Sequence, residues 1–183
     1  MRTTIRDATP ADAPALGELS LAAFADEGQE IAGLIEDLLA DPTSEPKLSL
    51  IAADEADRVL GHVLFTRVAL DPPAEVQASI LAPLAVHPDH QRQGIGGRLI
   101  AEGLKRLAKA GIDLVFVLGP PDYYQRHGFQ PAGARGFDAP YPIKPEHADA
   151  WMVQALRPGV IDQHDGVVRC ADSLDQQKYW VEG

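Results

Sequence analysis

Hydrophobic residues recur along the chain with two periods, one of two residues and one of about 3.6 residues. Stretches that alternate with polar residues, or that are apolar throughout, are typical of strands, whereas apolar positions three and four apart are typical of helices. These patterns predict strands at residues 3–8, 48–53, 59–70, 79–86, 114–118, 151–156 and 166–170, with a further strand starting at 128. They predict helices at residues 9–25, 29–40, 94–109 and about 122–126. Strands and helices are therefore mixed along the chain, which indicates an α/β protein.

The order of these elements predicts how the strands pair. Polar residues 54–57 separate the strands at 48–53 and 59–70, which favours an antiparallel hairpin. The strand, helix and strand within residues 79–118 favour a parallel crossover unit. Residues 131–145 are rich in proline and glycine, so we expect a long connection there.

The chain of 183 residues has the length of one typical domain. Apolar residues make up 45% and charged residues 23%, both ordinary for a globular protein. No repeat or linker divides the sequence. We therefore expect a single domain over residues 1–183, with a core at about 3–157 and a tail at 158–183.

Neither a membrane span nor a secretory signal is predicted. No apolar run approaches the roughly 20 residues that a spanning helix needs, and the first 14 residues carry charges and prolines. We therefore expect a cytoplasmic protein. Cys170 is the only cysteine, which excludes an internal disulfide framework and a multi-cysteine zinc site, and no metal is expected.

The net charge of −11 argues against nucleic acid or an acidic membrane surface as partners, because both require a basic surface. A local exception follows the strand at 79–86. Four cations gather there with few acids between them, namely Arg92, Arg98, Lys105 and Arg106. This concentration of positive charge suggests an anionic ligand.

Three glycines, Gly94, Gly96 and Gly97, open a predicted helix directly after that strand. A helix N-terminus leaves amide N–H groups unsatisfied and stabilises an anion, and glycines let the backbone approach a pyrophosphate. The segment lacks the lysine and serine or threonine of the Walker loop, and Leu99 stands where the dinucleotide fingerprint requires glycine. Neither a nucleoside triphosphate nor NAD is implied.

The pattern Gln91-x-x-Gly94-x-Gly96 resembles the acetyl-coenzyme A motif of the GNAT superfamily of N-acetyltransferases. The preceding Leu-Ala-Val-His-Pro and the leucine-rich helix that follows match the extended context of this motif. A second signature, a tyrosine four residues before Gly-Phe, corresponds to Tyr124 before Gly128. Most of the first 130 residues are covered by the resemblance, and the sequence around Tyr124 is similar to the bacterial YhbS-like branch.

The resemblance implies an α/β fold of the α+β kind, with a central mixed, mostly antiparallel, twisted sheet flanked by helices and a splayed pair of parallel strands that holds the cofactor. It implies acetyl-coenzyme A (acetyl-CoA) as cosubstrate and transfer of its acetyl group to an amine. The residues expected to bind the cofactor, chiefly through their backbone, are Leu84, Ala85, Val86, Gln91, Arg92, Gln93, Gly94, Ile95, Gly96, Gly97 and Arg98.

Tyr124 is the residue that the resemblance assigns to catalysis, as the acid that protonates the departing thiolate. A thiol has a pKa near 8.5 and a phenol near 10, so the proton transfer is expected to be roughly balanced. Tyr123 is adjacent and is an alternative, although its spacing to Gly128 is one residue longer than the pattern.

The base that would deprotonate the amine stays unassigned. Histone-type members of the superfamily carry a glutamate where this chain has Ile80. His62, Glu75 and His87 are candidate substitutes. Alternatively, the amine enters neutral, and positioning together with a backbone donor such as the N–H of Val86 supplies the catalysis.

The acceptor is expected to be a small-molecule or peptide amine, and the resemblance also allows a homodimer. Aromatic and acidic side chains that suit a cation are Phe24, Asp26, Glu27, Tyr141 and Trp151. Two other functions remain open at this point. The domain would bind acetyl-CoA as a sensor or interaction module without catalysis, or it would acylate a hydroxyl or use a longer acyl chain.

Overall fold

The computed structural model describes residues 2–180, in which nine strands form one sheet with five α-helices packed around it. The strands are β1 (Thr4–Asp7), β2 (Leu48–Ala53), β3 (Val59–Asp71), β4 (Ala78–Val86), β5 (Leu114–Leu118), β6 (Gln130–Pro131), β7 (Phe137–Asp138), β8 (Trp151–Ala155) and β9 (Gly166–Cys170). The helices are α1 (Ala13–Phe24), α2 (Gly28–Ala40), α3 (Ile95–Lys109), α4 (Pro121–Gln125) and α5 (Val160–Gln163).

The sheet has the strand order β1-β2-β3-β4-β5-β8-β6, and β9 pairs with the end of β3 and with β7. Strands β4 and β5 run parallel, as do the two residue pairs between β7 and β9, and the other pairings are antiparallel. The predicted hairpin of β2 and β3 and the predicted crossover from β4 through α3 to β5 are therefore confirmed. So is the mixed, mostly antiparallel sheet.

Most predicted bounds agree with the structure within one or two residues, and the larger differences lie at the first helix and after α4. The helix expected from residue 9 begins with a 3-10 turn at Pro10–Asp12, and α1 starts at Ala13. Asp12 causes the difference, because its carboxylate accepts the N–H of Thr9 at 2.7 Å and two bonds from Arg6. The strand expected from residue 128 is reduced to β6, and the connection at 131–145 contains β7.

The two faces of the sheet carry different helices. Helix α3 covers one face, where Leu99 and Ile100 pack with Phe65 of β3 in one apolar cluster. Helices α1 and α2 cover the other face, where Leu34 packs with Ile80 of β4. No helix within residues 2–180 is both long and apolar enough to cross a membrane.

The tail predicted at 158–183 joins the sheet through β9, whose residues 167–170 pair with residues 68–71 of β3. The chain then returns toward the end of α2, where the Asp41 carboxylate accepts the N–H and hydroxyl of Ser173 at 2.9 and 2.8 Å. Residues 181–183 of the predicted tail lie outside the described residues.

Candidate active site

The parallel strands β4 and β5 separate partway along their length. They pair in register as far as Leu81 opposite Val117. Strand β4 continues to Val86, whereas β5 ends at Leu118 without pairing further with β4. The separation leaves one edge of β4 open in the middle of the sheet.

Pro83 lies where the separation begins. A proline has no amide hydrogen and cannot donate to a neighbouring strand. On the β3 side the register also shifts, since Leu84 lies opposite Val63 but Leu81 lies opposite Phe65. Strand β4 therefore has one extra residue here, a bulge that bends it away from regular pairing.

The backbone of β4 beyond the bulge faces the gap at every second residue. The N–H of His87 donates to the carbonyl of Leu60 at 2.8 Å, so His87 is turned toward β3. Because successive residues of a strand point their backbone groups to opposite edges, Ala85 also faces β3. Leu84 and Val86 present theirs to the open edge.

The loop that follows β4 turns sharply into α3. Arg92 and Gly94 have φ angles of 63° and 82°, in the left-handed region that favours glycine. No side chain caps the start of α3, so its first N–H groups keep their hydrogen-bonding capacity. The Nε2 atom of Gln91 donates to the carbonyl of Val86 at 3.2 Å and holds the loop against β4.

The glycines at the start of α3 lie against the segment around α4. A Cβ atom at Gly96 would lie 2.5 Å from the hydroxyl of Tyr123, and one at Gly97 would lie 3.0 Å from Cε1 of His127. Both positions therefore favour glycine. Without side chains at these positions, the backbone N–H groups at the start of α3 are not covered by their own residues.

The other predicted cofactor residues are placed differently. Gln93 is exposed, whereas the side chain of Ile95 is buried in the core, so that only its backbone is available to a ligand. The Arg98 side chain donates to the carbonyl of Thr3 at 2.9 Å, and Arg106 forms ion pairs with Asp7 and Glu102. Part of the predicted cationic cluster thus binds the first strand.

Tyr124 forms part of the wall of a cavity of about 290 Å³ at the separation of β4 and β5. Helix α4 starts at Pro121, separated by two residues from the end of β5, and the N–H of Tyr124 donates to the carbonyl of Pro120 at 3.1 Å. The ring lies edge-on to Tyr123 and Phe129, with centroids 5.1 and 5.8 Å away. Its hydroxyl makes no hydrogen bond to another described residue.

Burial raises the pKa of Tyr124 well above its usual value, and the neighbouring Tyr123 adds to the shift. The side chain therefore stays protonated throughout the neutral range. An apolar cavity penalises the ionised forms of a phenol and of a thiol alike, so the near-balance expected between the two groups stays a prediction.

The cavity reaches both faces of the sheet. Leu84 belongs to the wall on the α3 side, where it packs against the cluster that contains Leu81. Ile80 and Leu34 belong to the wall on the α2 side. Two ligands that approach from opposite faces would therefore meet beside Tyr124.

A larger cavity of about 940 Å³ lies between α1, α2 and the start of β2. Ser49 belongs to its wall. The described residues that line this cavity include neither Tyr124 nor any residue of the glycine loop. Size alone therefore does not identify the site. The smaller cavity is the candidate because it borders the separated strands.

The three candidate bases do not reach the small cavity. His62 is fully buried, its Nε2 atom lies 2.8 Å from the hydroxyl of Ser49, and burial lowers its pKa to about 4. Glu75 is exposed in the turn before β4. The Nδ1 atom of His87 accepts the N–H of Asp89 at 3.1 Å. The described part of the cavity wall contains no histidine or carboxylate.

Among the side chains predicted to contact the acceptor, the structure brings Phe24 to the cavity wall. Asp26 and Glu27 are exposed outside it. Trp151 stacks on Phe116 inside the core, with centroids 5.3 Å apart. The hydroxyl of Tyr141 donates to the carbonyl of Asp175 in the tail at 3.3 Å.

Sequence reasoning missed the tail residues Leu174, Tyr179 and Trp180, which also line the cavity. The signal available was the presence of three large apolar side chains in an otherwise polar stretch. Their place in the fold was not predictable from the sequence. They reach α2 only because the fold brings together residues that are more than 130 positions apart.

Within residues 2–180 no group of three or more His, Cys, Asp or Glu side chains is arranged to hold a metal ion. Cys170 lies in β9, where burial raises the pKa of its thiol to about 12. The thiol therefore stays protonated and is a poor nucleophile at neutral pH.

Comparisons with known proteins agree with this geometry. A family model described as an acetyltransferase (GNAT) domain matches residues 46–131. The uncharacterized N-acetyltransferase YjhQ of Escherichia coli strain K12 is 47% identical over 148 residues, which cover 77% of this chain and 78% of that protein.

Two solved structures are similar over nearly the whole chain. The GNAT family N-acetyltransferase YhbS of Escherichia coli, crystallised in complex with CoA, superposes with a TM-score of 0.87 and 30% identity, covering 96% of this chain and 93% of that chain. A GNAT family acetyltransferase of Brucella melitensis in complex with acetyl-CoA gives a TM-score of 0.75 and 29% identity, covering 95% and 99%. The predicted resemblance is confirmed: the chain belongs to the GNAT family of N-acetyltransferases and is an acetyl-CoA-dependent acyltransferase.

Proposed function

We propose that the protein transfers the acetyl group of acetyl-CoA to a primary amine by direct attack in a ternary complex, with Tyr124 as the general acid. The observation that carries this proposal is the position of the buried Tyr124 hydroxyl in a cavity that borders the open edge of β4. Direct attack requires both substrates to be bound at the same time. A cavity that reaches both faces of the sheet has room for one substrate on each side.

On the α3 side, the amides from Arg92 to Gly97 are the groups proposed to hold the pyrophosphate. Two residues with left-handed φ angles turn the chain there, and no side chain caps the helix start, so that its N–H groups stay available to an anion. The backbone of Leu84 and Val86 is proposed to pair with the amide-bearing arm of the cofactor, as an added strand would. YhbS in complex with CoA and the Brucella relative in complex with acetyl-CoA support a cofactor of this class.

In the proposed reaction the lone pair of the neutral amine attacks the thioester carbonyl carbon. The N–H of Val86, which faces the gap, is the candidate donor to the oxygen that becomes negative. The carbon–sulfur bond then breaks, and the Tyr124 hydroxyl gives its proton to the departing sulfur. The amine nitrogen loses a proton to water, and Tyr124 is reprotonated, so that the products are an N-acetylamide and the free thiol.

Two measurements on one preparation test this function. Calorimetric titration with acetyl-CoA is expected to show saturable binding, and thiol release is expected only when a primary amine is added. Binding without release from any amine would favour an acetyl-CoA sensor. The absence of binding would remove the proposed cofactor site.

Replacing Tyr124 by phenylalanine tests the acid. Tyr124→Phe removes the hydroxyl and keeps the aromatic ring. Binding of acetyl-CoA is therefore expected to stay within about twofold, whereas kcat is expected to fall about 100-fold because the proton donor is lost. Tyr123→Phe is the matched control, because Tyr123 is adjacent and lies over Gly96 rather than in the cavity wall. Full turnover by Tyr124→Phe would exclude the tyrosine as the acid.

A further inference from the structure

The tail after β9 contributes a wall of the candidate active site. Leu174, Tyr179 and Trp180 line the cavity together with Phe24 and Ile31 of the first two helices. These side chains lie on the α2 side of the sheet, away from the glycine loop. They therefore border the half of the cavity that the acceptor would enter.

Hydrogen bonds fix this wall in place. The carboxylate of Asp41 accepts both the N–H and the hydroxyl of Ser173, and the N–H of Asp172 donates to the Thr43 hydroxyl at 2.9 Å. The hydroxyl and N–H of Thr43, together with the two donors of Ser173, hold the pKa of Asp41 well below its usual range. Asp41 is therefore ionised above the acid range and pins the tail to the end of α2.

The aromatic surface at the end of the tail is also held by a hydrogen bond and a ring contact. The indole Nε1 of Trp180 donates to the carbonyl of Leu174 at 3.0 Å, and its ring lies edge-on to Trp151 at 5.6 Å between centroids. With its polar atom already satisfied, Trp180 offers the cavity an apolar face.

None of the described residues that line the cavity carries a charge. An ammonium group would enter without a carboxylate to balance it, and burying an unpaired charge is strongly unfavourable. The acceptor therefore has to bind as the neutral amine. A lysine-type amine with a pKa near 10.4 is neutral in only about one molecule in a thousand at pH 7.5, whereas an α-amino group with a pKa of about 7.7 is neutral in about two fifths.

We propose that the acceptor is a weakly basic primary amine carried on an aromatic or apolar body, and that the tail, chiefly through Trp180, selects it. This proposal rests on the transferase function proposed above. It names the class of acceptor and a specificity-determining segment outside the matched family region at 46–131.

A panel of four amines separates basicity from apolar character. Phenylalaninamide is a weak base with an aromatic body, glycinamide a weak base without one, 2-phenylethylamine a strong base with an aromatic body, and spermidine a strong base without one. At pH 7.5, kcat/KM for phenylalaninamide from thiol release is expected to exceed each of the other three at least tenfold. From pH 7 to 9, kcat/KM for 2-phenylethylamine is expected to rise about tenfold per unit, whereas that for phenylalaninamide levels off.

Variants of the wall test the tail itself. Trp180→Leu is expected to lower the ratio of kcat/KM for phenylalaninamide over glycinamide at least tenfold, and Trp180→Phe to retain most of it. If Trp180→Leu does not fold, Tyr179→Ala provides the second test, because Tyr179 is only half-buried and lines the same cavity. A ratio that stays the same in both variants would overturn the role of the tail.

The outcomes also separate this proposal from the proposed function. Acetyl-CoA binding with thiol release that favours spermidine would overturn the acceptor class and leave the transferase intact. Binding without release from phenylalaninamide would likewise overturn the acceptor class. Failure of acetyl-CoA to bind would instead remove the transferase function on which the proposal rests.

Discussion

Gly119 determines how closely the ring of Tyr124 lies against the end of β5. A Cβ atom at this glycine would lie 2.5 Å from Cε2 and 3.1 Å from Cδ2 of that ring. A heavy-atom contact of 2.5 Å is not tolerated, so a side chain here must displace the ring. The position of the hydroxyl in the cavity thus depends on a residue that has no functional group.

Gly119→Ala is therefore expected to move the Tyr124 hydroxyl and to lower kcat about tenfold or more, since a misplacement near 1 Å is costly in catalysis. Acetyl-CoA affinity is measured alongside by calorimetry. Gly133→Ala is the control, because a Cβ there meets nothing within 4 Å. Equal turnover in the two variants would contradict this role of Gly119.

At the scale of elements, the packing of α3 on β3 fixes the start of α3 relative to β4. Gly103 lies in the middle of α3, and a Cβ there would lie 2.3 Å from Cε2 of Phe65, which is fully buried. The helix can approach the sheet this closely only because that position has no side chain. Because the preceding loop is continuous with α3, this contact also constrains the position of that loop.

Gly103→Ala is expected to destabilise the protein by about 1–3 kcal/mol, because overpacking outweighs the gain in helix propensity. Gly33→Ala in α2 is the matched control, since nothing lies within 4 Å of its Cβ, and it is expected to stabilise by about 0.5–1 kcal/mol. Urea unfolding of both variants measures the difference. Stabilisation by both would show that α3 can move away from β3 without cost.

The elements themselves could be predicted from the sequence because their signals are local. The apolar runs of β2 and β3 and the apolar stripe of α3 are visible within 6–15 residues. The bulge in β4 was expected only through the family resemblance, without a position, and the docking of Ser173 on Asp41 was not predicted. Each depends on residues distant in sequence, the second pair being 132 positions apart. The motif therefore indicated the candidate cofactor loop and Tyr124, whereas the proposed acceptor wall became visible only in the fold.

At the scale of the whole molecule, His62 links stability to pH. It is fully buried in β3, and burial lowers its pKa to about 4, with the charge of Asp12 opposing the shift. The unfolded chain has a histidine pKa near 6.5, so between these values protons bind the unfolded state preferentially. This contribution to stability is present above pH 6.5 and is lost as the pH falls toward 4.

Unfolding free energy is thus expected to fall by about 2 kcal/mol between pH 7 and 5 because of His62 alone. In His62→Gln, which cannot titrate, this part of the pH dependence should disappear. The pKa of His127 is also lowered, but His127 is present in both proteins and its effect cancels in the difference. Carboxylates with lowered pKa values, such as Asp12, act mainly below pH 5. Parallel curves for the two proteins would exclude His62 as the source.

The gap between β4 and β5 has a consequence for how the protein avoids associating with other chains. An unpaired strand edge at the rim of a sheet is a template for aggregation and is usually protected by charge or by cover. Here the unpaired stretch beyond Leu81 is recessed between strands on both sides. A foreign strand could pair with this edge only by threading between β4 and β5, whereas an edge at the rim of a sheet is open from the side. The recess therefore keeps hydrogen-bonding groups unpaired for a ligand without placing them at the rim of the sheet.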